Sequence, residues 1–280
     1  MLTNTTVRTL PLNTQGTDYV VGDIHGCFDL VDQALARLGF APDQDRLLCV
    51  GDLIDRGPQS AQVDAFLARP YVYAVRGNHE DELLAMYEYD PALVDEIDID
   101  AFPSATQNAL LNPMGTMWWL AVDRDKRRTI LESFLKLPLA IEVSTPRGLV
   151  GLIHADIPNG MSWPAFTQAL RSGDASVSET ALWGRTRAHR DDHQGVAGVG
   201  RVFCGHTPHE RITRRENVYF VDTGAVFQDG FLSVTKAIAD TASIEDSGIA
   251  LSHAITKLDQ LIENRPFGNY AKEPQKGGPQ

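Results

Sequence analysis

Short apolar runs alternate with apolar residues at helical spacing along the first 90 positions of the chain. Tyr19-Val20-Val21, ending at Gly22, predicts a strand. Phe28, Val31, Leu35 and Leu38 then recur at helical spacing, and Gly39 supplies a stop. Leu47-Leu48-Cys49-Val50 predicts a second buried strand, 61–67 a helix ended by Pro70, 72–75 a third strand and 82–86 a helix. Strand and helix in strict alternation predict an α/β fold with parallel strands. Residues 91–125 are broken by Pro91, Pro103 and Pro113. Their acidic run, Asp95, Glu96, Asp98 and Asp100, lacks the glycine and terminal glutamate of an EF-hand loop and reads as a solvated segment. Trp118 and Trp119 could line a binding surface, but tryptophans so placed are more often core or lid packing. After a helix at 129–137 the pattern turns strand-rich, at 139–143, 149–153, 202–204, 218–221 and 231–237, with an amphipathic helix at 249–262. Gly195 to Gly200 reads as a turn. The expected organisation is a flexible lead-in at 1–17, one domain at 18–264 and a disordered tail at 265–280.

Composition narrows the possible functions. With 43% apolar and 22% charged residues, the chain is too apolar to be disordered. Its 25 basic and 37 acidic residues give a net charge of -12, so it lacks the basic footprint that nucleic acid or an anionic membrane requires. Cys27, Cys49 and Cys204 are far apart and form no C-x-x-C pair, which argues against a disulfide framework or a thiolate zinc site. The N-terminal stretch has no continuous apolar segment of the secretory type, and no apolar stretch approaches 18 residues. The expected location is cytoplasmic.

The polar residues that matter stand where apolar runs stop. The first three strands end in Gly22-Asp23-Ile24-His25-Gly26, in Gly51-Asp52-Leu53-Ile54-Asp55-Arg56-Gly57, and in Arg76-Gly77-Asn78-His79-Glu80. Two later strands end in His154-Ala155-Asp156 and Gly205-His206-Thr207-Pro208. In α/β sheets, ligands bind beyond the carboxyl ends of strands. One such cluster is ordinary turn chemistry, but five together form a nitrogen and oxygen ligand set without thiolate, suited to Mn²⁺, Fe or Zn²⁺. No side-chain nucleophile is evident.

These motifs, with the D-T-G-A-V-F that follows G-H-T-P, resemble the phosphoprotein phosphatase family of binuclear metallophosphoesterases. The likeness is closest to the bacterial and phage lambda type serine/threonine phosphatases. It covers roughly 18–237, and the intervals from Asp23 to Asp52 (29 positions) and from Asp52 to Asn78 (26) suit the family's β-α-β-α-β core. The resemblance implies a metallophosphoesterase fold: two mixed sheets in a sandwich flanked by helices, holding two divalent metal ions, Mn²⁺ foremost. It implies that Asp23 and His25 bind the first metal, that Asp52 bridges, and that Asn78, His154 and His206 complete the second. Arg56, Arg76 and Arg185 would contact phosphate, although Gly184 departs from the family pattern beside Arg185. His79 would protonate the leaving group and Asp55 orient His79, with direct attack by a hydroxide bridging the metals. The implied partners are phosphorylated proteins or peptides.

Two other functions compete. Symmetrical diadenosine tetraphosphate hydrolases share most motifs, but they tend to lose the aspartate at position 55 and to carry Asp in place of Glu80. A catalytically dead binding scaffold would have lost ligands, whereas all six positions here hold ligand-competent residues.

Overall fold

The computed structural model of the chain describes residues 6–95, 114–190 and 194–237. The chain runs β1 (Val7–Leu10), β2 (Asp18–Val21), α1 (Phe28–Leu38), β3 (Arg46–Cys49), α2 (Val63–Leu67), β4 (Val72–Ala74) and α3 (Asn78–Ala85). A 3₁₀ turn at Thr116–Ala121 precedes α4 (Arg124–Leu135), β5 (Ala140–Thr145) and β6 (Gly148–Ile153). There follow α5 (Trp163–Arg171), α6 (Ala175–Trp183), α7 (Thr186–His189), β7 (Arg201–Cys204), β8 (Thr213–Arg215), β9 (Val218–Phe220) and β10 (Val234–Lys236). Among the described residues no helix is long and apolar enough to cross a membrane.

The strands form two mixed sheets, six-stranded in the order β1-β5-β6-β7-β9-β8 and four-stranded in the order β10-β2-β3-β4. Strands β2, β3 and β4 run parallel in the small sheet, and β6, β7 and β9 run parallel in the large one. Alternation along each strand explains the layering. Val20 and Leu48 point between the sheets and pack with Leu152, Phe203 and Val221. Their neighbours Tyr19, Val21, Leu47 and Cys49 point outward into a core closed by α1, α2 and α4. On the far side Ile153, Val202, Cys204 and Phe220 meet Trp163, Phe166 and Leu170 of α5. Strands buried on both faces read as continuous apolar runs, which is why they were visible in the sequence. All three cysteines are buried and none is in a disulfide, and burial pushes the Cys27 thiol up to about 12.

The structure departs from the sequence reading in several places. The segment expected to be a flexible lead-in contains β1, which pairs in parallel with β5, Val7 opposite Ala140 and Leu10 opposite Val143. Only Val7 and Leu10 of β1 are buried, so the strand shows no period-two signal. Helices α5 and α6 interrupt the stretch expected to be strand-rich, each opened by a side-chain cap, Ser162 to the amide of Ala165 and Asp174 to the amide of Val177. The helix expected at 249–262, the tail at 265–280, and Glu96, Asp98 and Asp100 lie outside the described residues.

The edge strand yields a prediction. Removing residues 1–11 uncovers the outer edge of β5 and releases Val7 and Leu10 from the core. Unfolding free energy should fall by about 3 kcal/mol or more, taking roughly 1.5–3 kcal/mol for each buried side chain. An unchanged urea midpoint would show that β1 adds nothing.

Candidate metal centre

The strand ends converge at one edge of the sandwich. The two sheets meet so closely there that a Cβ on Gly205 would collide with the Asp23 carboxylate. Residues bearing side chains occupy the left-handed region at His25 (φ 44°), Asp52 (46°), Asp55 (72°), Arg56 (67°) and His206 (66°). Cross-bonds between the turns hold them. The Asp52 carbonyl accepts from the amides of Ile24 and His25, at 3.0 and 2.9 Å, and the Asp23 carboxylate accepts from the amide of His206 at 2.9 Å.

Four candidate ligands gather at one point. His154 Nε2 lies 2.8 Å from Asn78 Oδ1 and 3.1 Å from His206 Nδ1, which is itself 2.9 Å from Asn78 Oδ1. Asp52 Oδ1 is 3.3 Å from the same His154 nitrogen. His154 Nδ1 donates to the Val50 carbonyl at 2.9 Å, so Nε2 presents its lone pair inward. The other oxygen of Asp52 faces a second group, 3.6 Å from His25 Nε2 and 3.8 Å from His79 Nε2. His25 Nδ1 donates to the Ile54 carbonyl at 2.8 Å, again leaving Nε2 as an acceptor. Asp23 is buried, and its Oδ1 has no hydrogen-bond partner.

Electrostatics fit cations at these points. Burial, with the Asp222 and Asp52 charges, pushes the Asp23 carboxyl well up. Burial, with the Asp52 charge adding, raises Asp222 to about 7. Burial also lowers His25 and His206 to about 3, and lowers His154. Crowded buried carboxylates facing neutral imidazole lone pairs form a donor set that a divalent cation satisfies. The Arg56 fork already brings positive charge there, with Nη1 2.5 Å from His25 Nε2 and Nη2 3.0 Å from His79 Nε2.

His79 and Asp55 form a buried pair, Nδ1 to Oδ2 at 2.6 Å. Burial works against the charged imidazole, but the Asp52 and Asp55 carboxylates outweigh it and hold His79 above its ordinary value. The other two arginines are differently engaged. Arg76 is buried, with Nη1 on Asp81 at 3.0 Å and Nη2 on the Leu137 carbonyl. Arg185 Nη1 donates to the His206 carbonyl and the Thr207 hydroxyl, both at 3.1 Å. Two exposed aromatic rings border the mouth: Trp183, edge-on to His206 at 5.9 Å, and Phe227, 5.8 Å from the Arg56 guanidinium.

Three residues with roles here were not assigned them from the sequence. Asp222 charges the cluster as described. Asp156 binds the Arg187 amide and guanidinium, fixing the turn after β6. Glu80, fully buried, accepts four amides: Leu53 (2.8 Å) and Ile54 (3.3 Å) at Oε1, Gly77 (2.8 Å) and Asp52 (3.1 Å) at Oε2. Only the motif position marked Glu80, and its longer side chain relative to aspartate supplies the reach.

A family model described as calcineurin-like phosphoesterase matches residues 19–210. The chain is 34% identical over 213 residues to serine/threonine-protein phosphatase 1 of Salmonella typhimurium, covering 75% of this chain and 87% of the relative. It is 46% identical to the symmetrical bis(5'-nucleosyl)-tetraphosphatase of Serratia proteamaculans, but over 71 residues, 25% of each chain. Among solved structures, that of a candidate diadenosine tetraphosphatase superposes with a TM-score of 0.55 at 24% identity, covering 83% of this chain and 93% of that one. A serine/threonine phosphatase from Saccharomyces cerevisiae gives 0.51 at 16% identity, with 82% and 76% covered. At these identities the structures speak to the fold alone.

Glu80 tests how the turns are held. A glutamine there presents an amide group to two N–H donors that now meet a carboxylate oxygen. Glu80→Gln should lower unfolding free energy by about 2–4 kcal/mol, the cost of unsatisfied buried donors. An unchanged midpoint in urea would contradict the assignment.

Proposed function

The chain belongs to the calcineurin-like phosphoesterase family, and from that premise we propose that it is a metal-dependent phosphomonoesterase acting on phosphoserine and phosphothreonine in proteins. The observation that carries this reading is the Asp55–His79 pair beside Arg56. A serine or threonine alkoxide is a poor leaving group and needs a proton, and an imidazolium oriented by a carboxylate is a fitting donor.

Asp23 and His25 would hold one divalent ion and Asn78, His154 and His206 a second, with Asp52 offering one oxygen to each group. Bound there, the ions supply activated water and positive charge for the phosphoryl oxygens. The oxygen and nitrogen donor set, with no thiolate to hold zinc tightly, suits Mn²⁺ first and admits Fe or Zn²⁺. A phosphoryl group entering between His25 and His79 would draw the Arg56 fork onto its oxygens, the planar geometry that guanidinium matches. That movement would release His79 Nε2 to face the departing oxygen. Arg76 and Arg185 are assigned outer phosphoryl contacts, each by leaving a present partner. The exposed Trp183 and Phe227 suit an organic, peptide-like group beside the phosphate. The partners are therefore phosphorylated proteins or peptides rather than nucleic acid or membrane.

Hydrolysis of dinucleoside tetraphosphates is the second reading, favoured by the short stretch of 46% identity. A nucleotide leaving group needs little acid help, so the retained Asp55 argues for the first. An activity panel on chelator-treated protein decides between them. Mn²⁺ should restore turnover of phosphoserine peptides well above that of diadenosine tetraphosphate. The reverse order would overturn the protein phosphatase reading, and full activity with metal verified absent would overturn the metal dependence.

The proton-donor role has its own test. His79→Asn should retain both metals and lower kcat on a phosphoserine peptide by about 10²–10⁴-fold. The loss on p-nitrophenyl phosphate should be much smaller, because that phenolate departs unaided. Equal losses on the two substrates would rule out the assignment.

A further inference from the structure

Asp55 and Arg56 are consecutive left-handed residues, with φ of 72° and 67°. Conformations of this kind persist only where the surroundings over-determine them. Much of the constraint comes from a segment distant in sequence. The Trp118 indole Nε1–H donates to Asp55 Oδ1 at 2.6 Å, and the Arg56 amide donates to the Gly115 carbonyl at 3.2 Å. Gly115 is itself left-handed (φ 78°), and a Cβ there would lie 2.9 Å from the Arg56 amide nitrogen, so the approach requires glycine.

The indole is anchored in turn. Trp118 stands edge-on to Trp119, with ring centroids 5.3 Å apart and an interplanar angle of 79°. Trp119 is fully buried and donates to the Tyr87 hydroxyl at 2.9 Å, and the Arg127 guanidinium of α4 bonds the Trp119 carbonyl. The Asp55 carboxylate thus has one donor on each oxygen, an indole on Oδ1 and the His79 imidazole on Oδ2. Carboxylate torsions are broad and roughly two-fold. A carboxylate bonded through one oxygen can swing about that contact, and a second donor from another direction removes the swing.

We propose that Trp118 is a positioning residue for the Asp55–His79 pair: its indole N–H fixes the carboxylate plane that holds the His79 imidazole toward the phosphoryl mouth. The consequence for turnover rests on the reading of His79 as proton donor. The hydrogen bond does not.

Trp118→Phe keeps a six-membered ring against Trp119 and removes the donor together with part of the ring area. With metal content checked, kcat on a phosphoserine peptide should fall about tenfold, the scale of one lost hydrogen bond. Turnover of p-nitrophenyl phosphate and both KM values should stay nearly unchanged. In an Asp55→Ala background, which leaves the indole no acceptor, the same substitution should cost little more, since the two residues act through one contact. Should Trp118→Phe lower Tm, 3-benzothienylalanine at position 118 keeps the bicyclic ring, replaces N–H with sulfur and carries the same comparison. A readout independent of turnover is the ¹H–¹⁵N spectrum of the protein loaded with diamagnetic Zn²⁺, with one indole signal for each of the four tryptophans. The signal missing from Trp118→Phe should lie downfield and move upfield in Asp55→Ala. Equal kinetic losses on both substrates, additive losses in the double variant, or an indole signal indifferent to Asp55 would each overturn the proposal. Equal losses in His79→Asn would instead overturn the proton-donor reading, with the indole shift still testing the bond.

Discussion

Asp52 keeps its left-handed backbone because the Glu80 carboxylate binds its amide and those of Leu53, Ile54 and Gly77. Five of the eight side-chain-bearing residues with positive φ among the described residues lie at this site, each costing on the order of 1–3 kcal/mol. No turn there stands by itself. Glu80 comes from α3 and grips the turn after β3. The Asp52 carbonyl grips the turn after β2, and Asp23 grips the turn after β7. The strain is distributed over bonds between neighbouring strand ends, and these same bonds set the spacing of the candidate ligands.

That arrangement also explains the charge pattern. Imidazoles fixed by carbonyl acceptors on one nitrogen offer the other inward, where they face Asp52 and, against its burial, hold its carboxyl down, while burial and mutual repulsion push Asp23 and Asp222 up. His79 differs because its fixed nitrogen binds a carboxylate rather than a carbonyl, which favours keeping the proton. One local difference in hydrogen-bond acceptor therefore separates His79, the proposed proton donor, from the prospective ligands around it.

Much of this was legible in the sequence, because strands buried on both faces print as apolar runs and their ends print as glycine-flanked polar clusters. Asp23, Asp52, Asn78, His154 and His206 could be read that way. β8, Thr-Arg-Arg at a sheet edge, could not, since no apolar residue marks it. Nor could the ties of Glu80 to the turn after β3 or that of Trp118 to Asp55, which join residues 26 to 28 and 63 positions apart. Arg76 shows the converse: its motif placed it at a strand end, but only packing directs its fork to Asp81 on α3. Spacing locates a side chain along the chain and leaves open which neighbour it binds.

The pairing of β1 with β5 has a consequence for how the molecule is made. Val7 faces Ala140, a separation of 133 positions. At about 5–20 residues per second, a ribosome completes the partner roughly 7–27 s after β1. By then β2, β3 and β4, adjacent in sequence and in their sheet, have all been synthesised. β1, made before the other described strands, is thus among the later ones that can dock, and until β5 arrives it offers an unpaired backbone edge to whatever else is in reach.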